Sequence, residues 1–286
     1  MIEEAAKLIA KEMEFKDLNF SFYPRGKGAL NTILFFDEGK LKVVAKYSVK
    51  NSFKVRRLSR ILDKISKCIS GTEIAETVPA KINISSKLNK NVHFHRALKG
   101  TPIKNRIKGV YKKEKVIKLL GRSIKWLSCF HGYCSRVTKK KNTYNYVGNF
   151  INRDIGRQFL GPMHGDFVCS NIIIHNGKVK VIDWEEYTIN GIPFVDVFFV
   201  IVSFASQFSS EPIKLALYSD NWFSNCVSDS IRKYCEDRNV DLDILRESVS
   251  LYLDYSIYYS KKRGMSKKLT RLKKIKSKHD KNKIIW

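Results

Sequence analysis

Three polar side chains, Asp166, Asn171 and Asp183, stand within residues 164–185, a stretch otherwise rich in β-branched residues. A carboxylate that can accept a proton, with an amide oxygen and a second carboxylate that can hold Mg²⁺, is the hard-oxygen set that phosphoryl transfer needs. For the three to act together, the chain between them must double back. Residues 172–175 and 178–182 are short β-rich runs joined by Asn176-Gly177, the strongest short-range hairpin signal. Such a hairpin would bring the loop 166–171 and Asp183 to one end. A lone His-Gly-Asp would be an ordinary polar turn, but the full set with its hairpin and Trp184 is far more restrictive.

His164-Gly165-Asp166, four residues, Asn171, and then Asp183-Trp184-Glu185 after the hairpin closely resembles the catalytic segment of the aminoglycoside phosphotransferase and choline kinase families, relatives of the protein kinases. The resemblance implies that Asp166 is the catalytic base and that Asn171 and Asp183 are the Mg²⁺ ligands. It makes His164 a structural buttress of the loop. Gly191-Ile-Pro-Phe-Val-Asp196 resembles the family's Gly-x-Pro-x-x-Asp, whose aspartate steadies the catalytic loop by hydrogen bonds. A carboxylate amid Phe194, Val195, Val197 and Phe198 needs such partners, because burying it unpaired is costly.

Upstream, residues 2–13 have helical periodicity with acids in the first turn. Residues 18–23 alternate like a strand, and 32–36 and 41–46 follow around a turn at 37–40. Between the first two strands lies Pro24-Arg-Gly26-Lys-Gly28-Ala-Leu-Asn31, which is neither a phosphate-binding P-loop nor a dinucleotide fingerprint. By resemblance, Gly26, Gly28 and Asn31 belong to a nucleotide-covering loop, and Lys46 is the lysine that meets the ATP phosphates. A lysine ending a Val-Val-Ala strand is otherwise a snorkelling surface residue. A helix over 52–66 puts Phe53, Leu58, Ile61, Leu62 and Ile65 on one face. In the related families it supplies a glutamate to the strand lysine; here it has none, and Asp63 is its only acid. The expected partner of Lys46 is therefore Asp63, Glu73 or Glu76, or the nucleotide alone. Residues 81–86 and 92–98 complete the sheet, and the segment 95–100, with Arg96 and Leu98, falls at the family's adenine-binding hinge. His93 and His95 share a strand face but lack a third metal ligand, which favours a structural role.

The second half reads as helical, with a long amphipathic helix over 115–131, a buried apolar helix over 192–205, and two more near 221–235 and 241–260. Many tyrosines and acids lie there, and none stands out as an acceptor contact. Residues 261–286 carry a dozen Lys and Arg and one acid, Asp280. Three readings of this segment stand open: a docked helix with a thin apolar stripe, a contact for an anionic membrane surface, or one for nucleic acid.

Fifty-four Lys and Arg against 27 Asp and Glu give a formal charge of +27, a field that attracts anions. That disfavours a polycationic acceptor and favours a neutral or anionic one. Six scattered cysteines without a Cys-x-x-Cys pair, and an N-terminus without signal-peptide character, point to reduced thiols and the cytoplasm. Peripheral contact with the inner membrane face stays open.

The fold class expected is α+β, a two-lobed protein-kinase-like fold. A small antiparallel-sheet N-lobe occupies 1–98, a mainly helical C-lobe 99–260 and a basic segment 261–286. The function expected is ATP-dependent (or GTP-dependent), Mg²⁺-requiring phosphorylation of a hydroxyl on a small molecule, such as a sugar or a cell-surface polysaccharide precursor. The rivals are a non-catalytic pseudokinase-like module that binds an anionic partner, and a protein kinase, which lacks support because Val168 stands where a lysine is usual. The acceptor and the oligomeric state are not legible.

Overall fold

The computed structural model describes residues 2–24, 30–48, 52–84, 91–107, 112–137, 160–279 and 283–285. The chain forms two compact units, Met1–Gly100 with Lys180–Glu185, and Thr101–Val179 with Glu186–Trp286.

The first unit contains α1 (Ile2–Glu12), β1 (Leu18–Tyr23), β2 (Asn31–Asp37), β3 (Lys40–Tyr47), α2 (Ser52–Ile69), β4 (Lys81–Ile82) and β5 (Val92–Arg96). The strands form an antiparallel sheet in the order β1-β2-β3-β5-β4. Glu38 and Gly39 both have positive φ (50° and 69°), the conformation that lets a two-residue turn match the twist of β2 and β3. Alternate residues Ile33, Phe35, Val43, Ala45, Val92 and Phe94 form the core on one face, closed by Ala6 and Ile9 of α1. Helix α2 buries Val55, Leu58, Ile61, Leu62, Ile65 and Ile69, so it runs three residues past its expected end. Phe53, expected on that face, is instead 65% exposed. Five residues separate it from Leu58, which turns it well away from the stripe that Val55 begins. The glycine pair Gly26 and Gly28 lies outside the described residues.

The second unit begins with β6 (Thr101–Pro102), α3 (Ile103–Ile107), α4 (Lys113–Val137) and β7 (Gly161–Met163). Then come β8 (Ile172–His175) and β9 (Lys178–Val181), the strand along which the chain leaves this unit. After the return come β10 (Thr188–Gly191), α5 (Pro193–Ala205), α6 (Pro212–Leu217), α7 (Trp222–Arg238), α8 (Leu242–Lys262) and α9 (Ser266–Ser277). The Asn176-Gly177 turn has positive φ at both residues (48° and 76°), as a hairpin of this type requires. Helix α5 is apolar around most of its circumference and almost wholly buried, and α4, α6 and α8 pack on it. A helix without a polar face is stable only in such a position. The basic C-terminal segment contains α9, which docks on α8. Leu272 is buried, Lys276 pairs with Asp254, and Arg271 donates to the Ser210 carbonyl. No helix among the described residues is long and apolar enough to cross a membrane.

Candidate active site

In the second unit, β7 leads into His164 and a tight loop. The loop is held from below by Asp196, in the first turn of α5, whose carboxylate is completely buried. It accepts the His164 N–H at 2.6 Å and the Gly165 N–H at 2.9 Å. The positive end of α5 adds to that stabilisation of the charge. His131 Nε2 lies 3.6 Å from the same carboxylate, and its Nδ1 meets the Tyr234 hydroxyl at 2.8 Å. Burial holds the His131 pKa below its ordinary value, against the pull of Asp196. The buried negative charge is thus neutralised chiefly by backbone donors that belong to the loop itself.

The loop's own hydrogen bonds fix its direction. Asp166 N–H donates to His164 Nδ1 at 3.2 Å, so the ring proton sits on Nε2. His164 is buried edge-on to Phe167, which stacks on Trp126. Cys169 N–H donates to Ser203 of α5, and the Cys169 carbonyl accepts from Lys104 N–H. Gly165 has φ +83°, and a Cβ there would stand 2.7 Å from the Glu186 carbonyl; only glycine fits without displacement.

Asn171 closes the loop. Its Nδ2 donates to the Asp166 carbonyl at 2.9 Å and approaches Asp166 Oδ2 at 3.3 Å. Both neighbours are acceptors, so the amide has one sensible orientation. Oδ1, met by the Ser170 hydroxyl at 3.4 Å, is left as the oxygen a cation could use. Near Asp166 the charge of its carboxylate acts on Tyr259, Arg263 and Lys268. The Arg263 guanidinium lies 4.3 Å over the Tyr259 ring and 3.5 Å from Glu186. Burial, reinforced by Asp166, pushes the Tyr259 phenol well above its ordinary pKa, so it stays a hydroxyl at neutral pH.

In the first unit, β3 delivers Lys46 into a buried position, with only 7% of its side chain exposed. Its ammonium lies 3.1 Å from Asp183 Oδ1 and 2.8 Å from Glu185 Oε1. The partner is therefore not Asp63, Glu73 or Glu76, as the sequence suggests. Asp63 pairs instead with Lys81 at 3.0 Å. α2 needs no glutamate because the Asp-Trp-Glu segment brings two acids to the lysine from far along the chain. Glu185 also accepts the Leu30 N–H through its other oxygen at 3.4 Å, which ties the same acid to the approach to β2. Trp184, buried, donates to the Val181 carbonyl at 3.1 Å and locks the turn between the two acids. Asp183 itself has φ +65°, a left-handed conformation that Asp tolerates better than most residues.

Other expected site residues are plainly located. Asn31 begins β2 opposite Tyr47. Arg96 ends β5, exposed, with its N–H given to the Ala80 carbonyl at 2.8 Å; Leu98, half-buried, follows in irregular chain. His93 and His95 are buried and stacked, their centroids 5.5 Å apart. Burial, with the Lys81 charge, pushes His93 down to about 4. Sequence reasoning missed Glu185 as the lysine's anchor, although it stands in the quoted motif. It also missed Tyr259, Arg263 and Lys268, for which the sequence offers no local signal.

The donors for a metal are few. Among the described residues no group of three or more His, Cys, Asp or Glu could hold an ion alone. Asn171 Oδ1 in the second unit and the Asp183 carboxylate in the first are each hard oxygen donors of the kind Mg²⁺ takes.

Neither models of protein families nor curated proteins gave a match to this sequence, but solved structures did. The gentamicin complex of the phosphotransferase APH(2″)-IIa aligns over 99% of this chain and 98% of its own, at TM-score 0.55 and 13% identity. The GDP complex of an aminoglycoside 2′-phosphotransferase-IIIa variant aligns over 96% of each chain, at TM-score 0.57 and 12% identity. An apo form of APH(4)-Ia covers 93% of this chain and 95% of its own, at TM-score 0.56 and 12% identity. The chain has the protein-kinase-like fold of these aminoglycoside phosphotransferases.

Proposed function

We propose that the protein transfers the terminal phosphoryl group of ATP, or GTP, to a hydroxyl of a sugar or similar small molecule. The observation that carries this reading is the loop from His164 to Asn171. It is pinned by a buried carboxylate and closed by an amide that fixes Asp166, as catalysis by positioning requires. In the reaction Asp166 orients the acceptor hydroxyl and takes its proton. Lys46, held by Glu185, meets the nucleotide phosphates, and Asn171 and Asp183 are the residues that would hold Mg²⁺. The metal would supply charge neutralisation on the phosphates. Gly26, Gly28 and Asn31 would cover the nucleotide. Because Arg96 N–H is already committed to Ala80, Leu98 is the better candidate for a backbone donor to the base. Demand for ATP and Mg²⁺ fits a cytoplasmic reaction, at the inner membrane face if the acceptor is a polysaccharide precursor on a lipid carrier.

A non-catalytic binding module draws support from a 52–66 helix that has no glutamate to hold the strand lysine. Lys46 has two other acids beside it, which supports the catalytic reading instead. The test is Asp166→Asn, with nucleotide affinity measured beside ATP consumption over a panel of hydroxylated metabolites. The expected outcome is unchanged ATP affinity and a turnover lower by about 10²–10⁴-fold, the usual worth of a general base. Turnover near that of the wild type would refute the role given to Asp166.

A further inference from the structure

Helix α9 does more than cover α8. With α5, α6 and α8 it lines a half-open cavity of about 850 Å³ that reaches the catalytic loop at Val168. Its apolar wall includes Phe199, Val202, Tyr252 and Leu272. Its charged lining is one-sided: Lys214, Lys268, Arg271, Lys274 and Lys278 against a single acid, Glu211. Glu211 and Lys214 lie 3.8 Å apart and are largely exposed, so the excess positive charge falls on α9. The cations of this helix have divided duties. Lys276 and Arg271 make its docking contacts with Asp254 and the Ser210 carbonyl. Lys268, Lys274 and Lys278 form no ion pair among the described residues. Lys268, Arg271, Lys274 and Lys278 are exposed, so their charge is presented at the mouth of a concave, partly apolar wall, and such a wall focuses the field inward.

We infer that this cavity is the acceptor site and that it takes a small molecule bearing a phosphate or carboxylate besides the hydroxyl that reacts. This rests on the kinase reading above. Val168 lies two residues beyond Asp166, and Lys268 is close enough to Asp166 to feel its charge. An anion held by α9 would therefore leave the rest of the acceptor beside the catalytic carboxylate. The ammonium of Lys268 is in keeping with a missing counter-charge. Although the residue is exposed, partial desolvation of its ammonium, with Arg263 adding to the effect, lowers its pKa, and Asp166 only partly opposes this. A bound anion would restore the balance. The apolar wall gives the remaining skeleton a surface to lie on, as small-molecule sites commonly do. The basic C-terminal segment is thereby assigned to substrate specificity, not to a polyanionic surface.

The test uses the full chain with a non-hydrolysable ATP analogue and Mg²⁺ present, and inorganic phosphate as the probe in equilibrium dialysis. Lys268→Ala/Lys274→Ala is compared with Lys7→Ala/Lys11→Ala, which removes the same charge from α1. Saturable phosphate binding should weaken about tenfold or more in the first variant, as loss of charge-assisted hydrogen bonds requires. It should stay unchanged in the second. In the metabolite panel, sugars bearing phosphate or carboxylate should stimulate ATP consumption where the parent sugars do not, with a KM that rises in the α9 variant. Equal phosphate binding in wild type and the α9 variant would overturn the cavity assignment. So would an uncharged acceptor whose KM is indifferent to α9, or binding only to anionic vesicles or nucleic acid. Failure to bind the ATP analogue is a separate result, and would sink the kinase reading instead.

Discussion

Glu185→Ala removes the closer of the two acids that hold Lys46. The ammonium is almost fully buried and bonded at 2.8 Å to Glu185 and 3.1 Å to Asp183. A hydrogen bond to a charged group is worth about 1.5–3 kcal/mol, so the variant forfeits roughly that much of the lysine's positioning. Two effects on nucleotide affinity then oppose each other. Deleting an anion beside the phosphates favours binding, while a lysine free to wander disfavours it, and the net change in affinity should be under about tenfold. Turnover has no such compensation, because a misplaced charge stabilises the transferring group poorly. If the lost energy appears in the barrier, the rate falls by about 10–100-fold at 1.4 kcal/mol per tenfold. Left with Asp183 alone, Lys46 also competes with Mg²⁺ for that carboxylate, so the Mg²⁺ concentration for half-maximal rate should rise.

The assay is basal ATP hydrolysis, water standing in for the acceptor, measured against Mg²⁺ and beside a fluorescent-nucleotide titration. Asp63→Ala is the control. Its pair with Lys81 is at the surface and should contribute at most about 1 kcal/mol to stability and nothing to hydrolysis. A Glu185→Ala rate within twofold of wild type would refute the anchoring role. So would equal loss in Asp63→Ala.

Three further outcomes follow from the geometry. Asp196→Asn keeps the shape but sets an NH₂ against one of two backbone N–H groups, at a cost of about 3–5 kcal/mol and a fall in Tm of about 5–8 °C at this chain size; a calorimetric change below 2 °C would refute the pinning of the loop. Gly165→Ala must move the Glu186 carbonyl or abandon φ +83°, so turnover should drop about 100-fold while nucleotide affinity holds, and an active Ala variant would show that the loop has room. His93 is held to about 4 and titrates near 6.5 when unfolded. Its contribution is therefore complete above about pH 6.5 and lost as the pH falls towards 4, by about 3 kcal/mol at pH 4. Urea titrations against pH should show that acid limb, to which the buried His95 and His131 add in the same direction, and His93→Phe should reduce it by about that amount.

What was legible from the sequence, and what was not, divides by the distance over which residues cooperate. Strands β1 to β3 alternate residue by residue, and the Asn176-Gly177 turn announces its hairpin through local conformation alone, so both appear where the sequence puts them. β4 is less so: 81–86 looks extended, yet among the described residues 81–84 only Lys81 and Ile82 pair, because β propensity does not say which residues find a partner. The anchor of Lys46 lies 139 residues away. An expectation built on the local helix turned to Asp63, Glu73 and Glu76, although Glu185 stood beside Asp183 in the motif.

The basic C-terminus shows the same limit in electrostatic form. A run of lysines reads as one feature in sequence, equally suited to solvent, lipid or nucleic acid. Once α9 is docked through Leu272, the run separates by contact. Lys276 pairs with Asp254 and holds the helix, Arg271 both donates to the Ser210 carbonyl and lines the cavity that Val168 connects to the catalytic loop, and Lys268, Lys274 and Lys278 line that cavity without an ion pair among the described residues. The +27 of the whole chain sets only a long-range attraction for anions. Where an anion would come to rest is decided, on the inference above, by Lys268, Arg271 and Lys274 of α9 and Lys278 at its end, and that arrangement exists only in the folded chain.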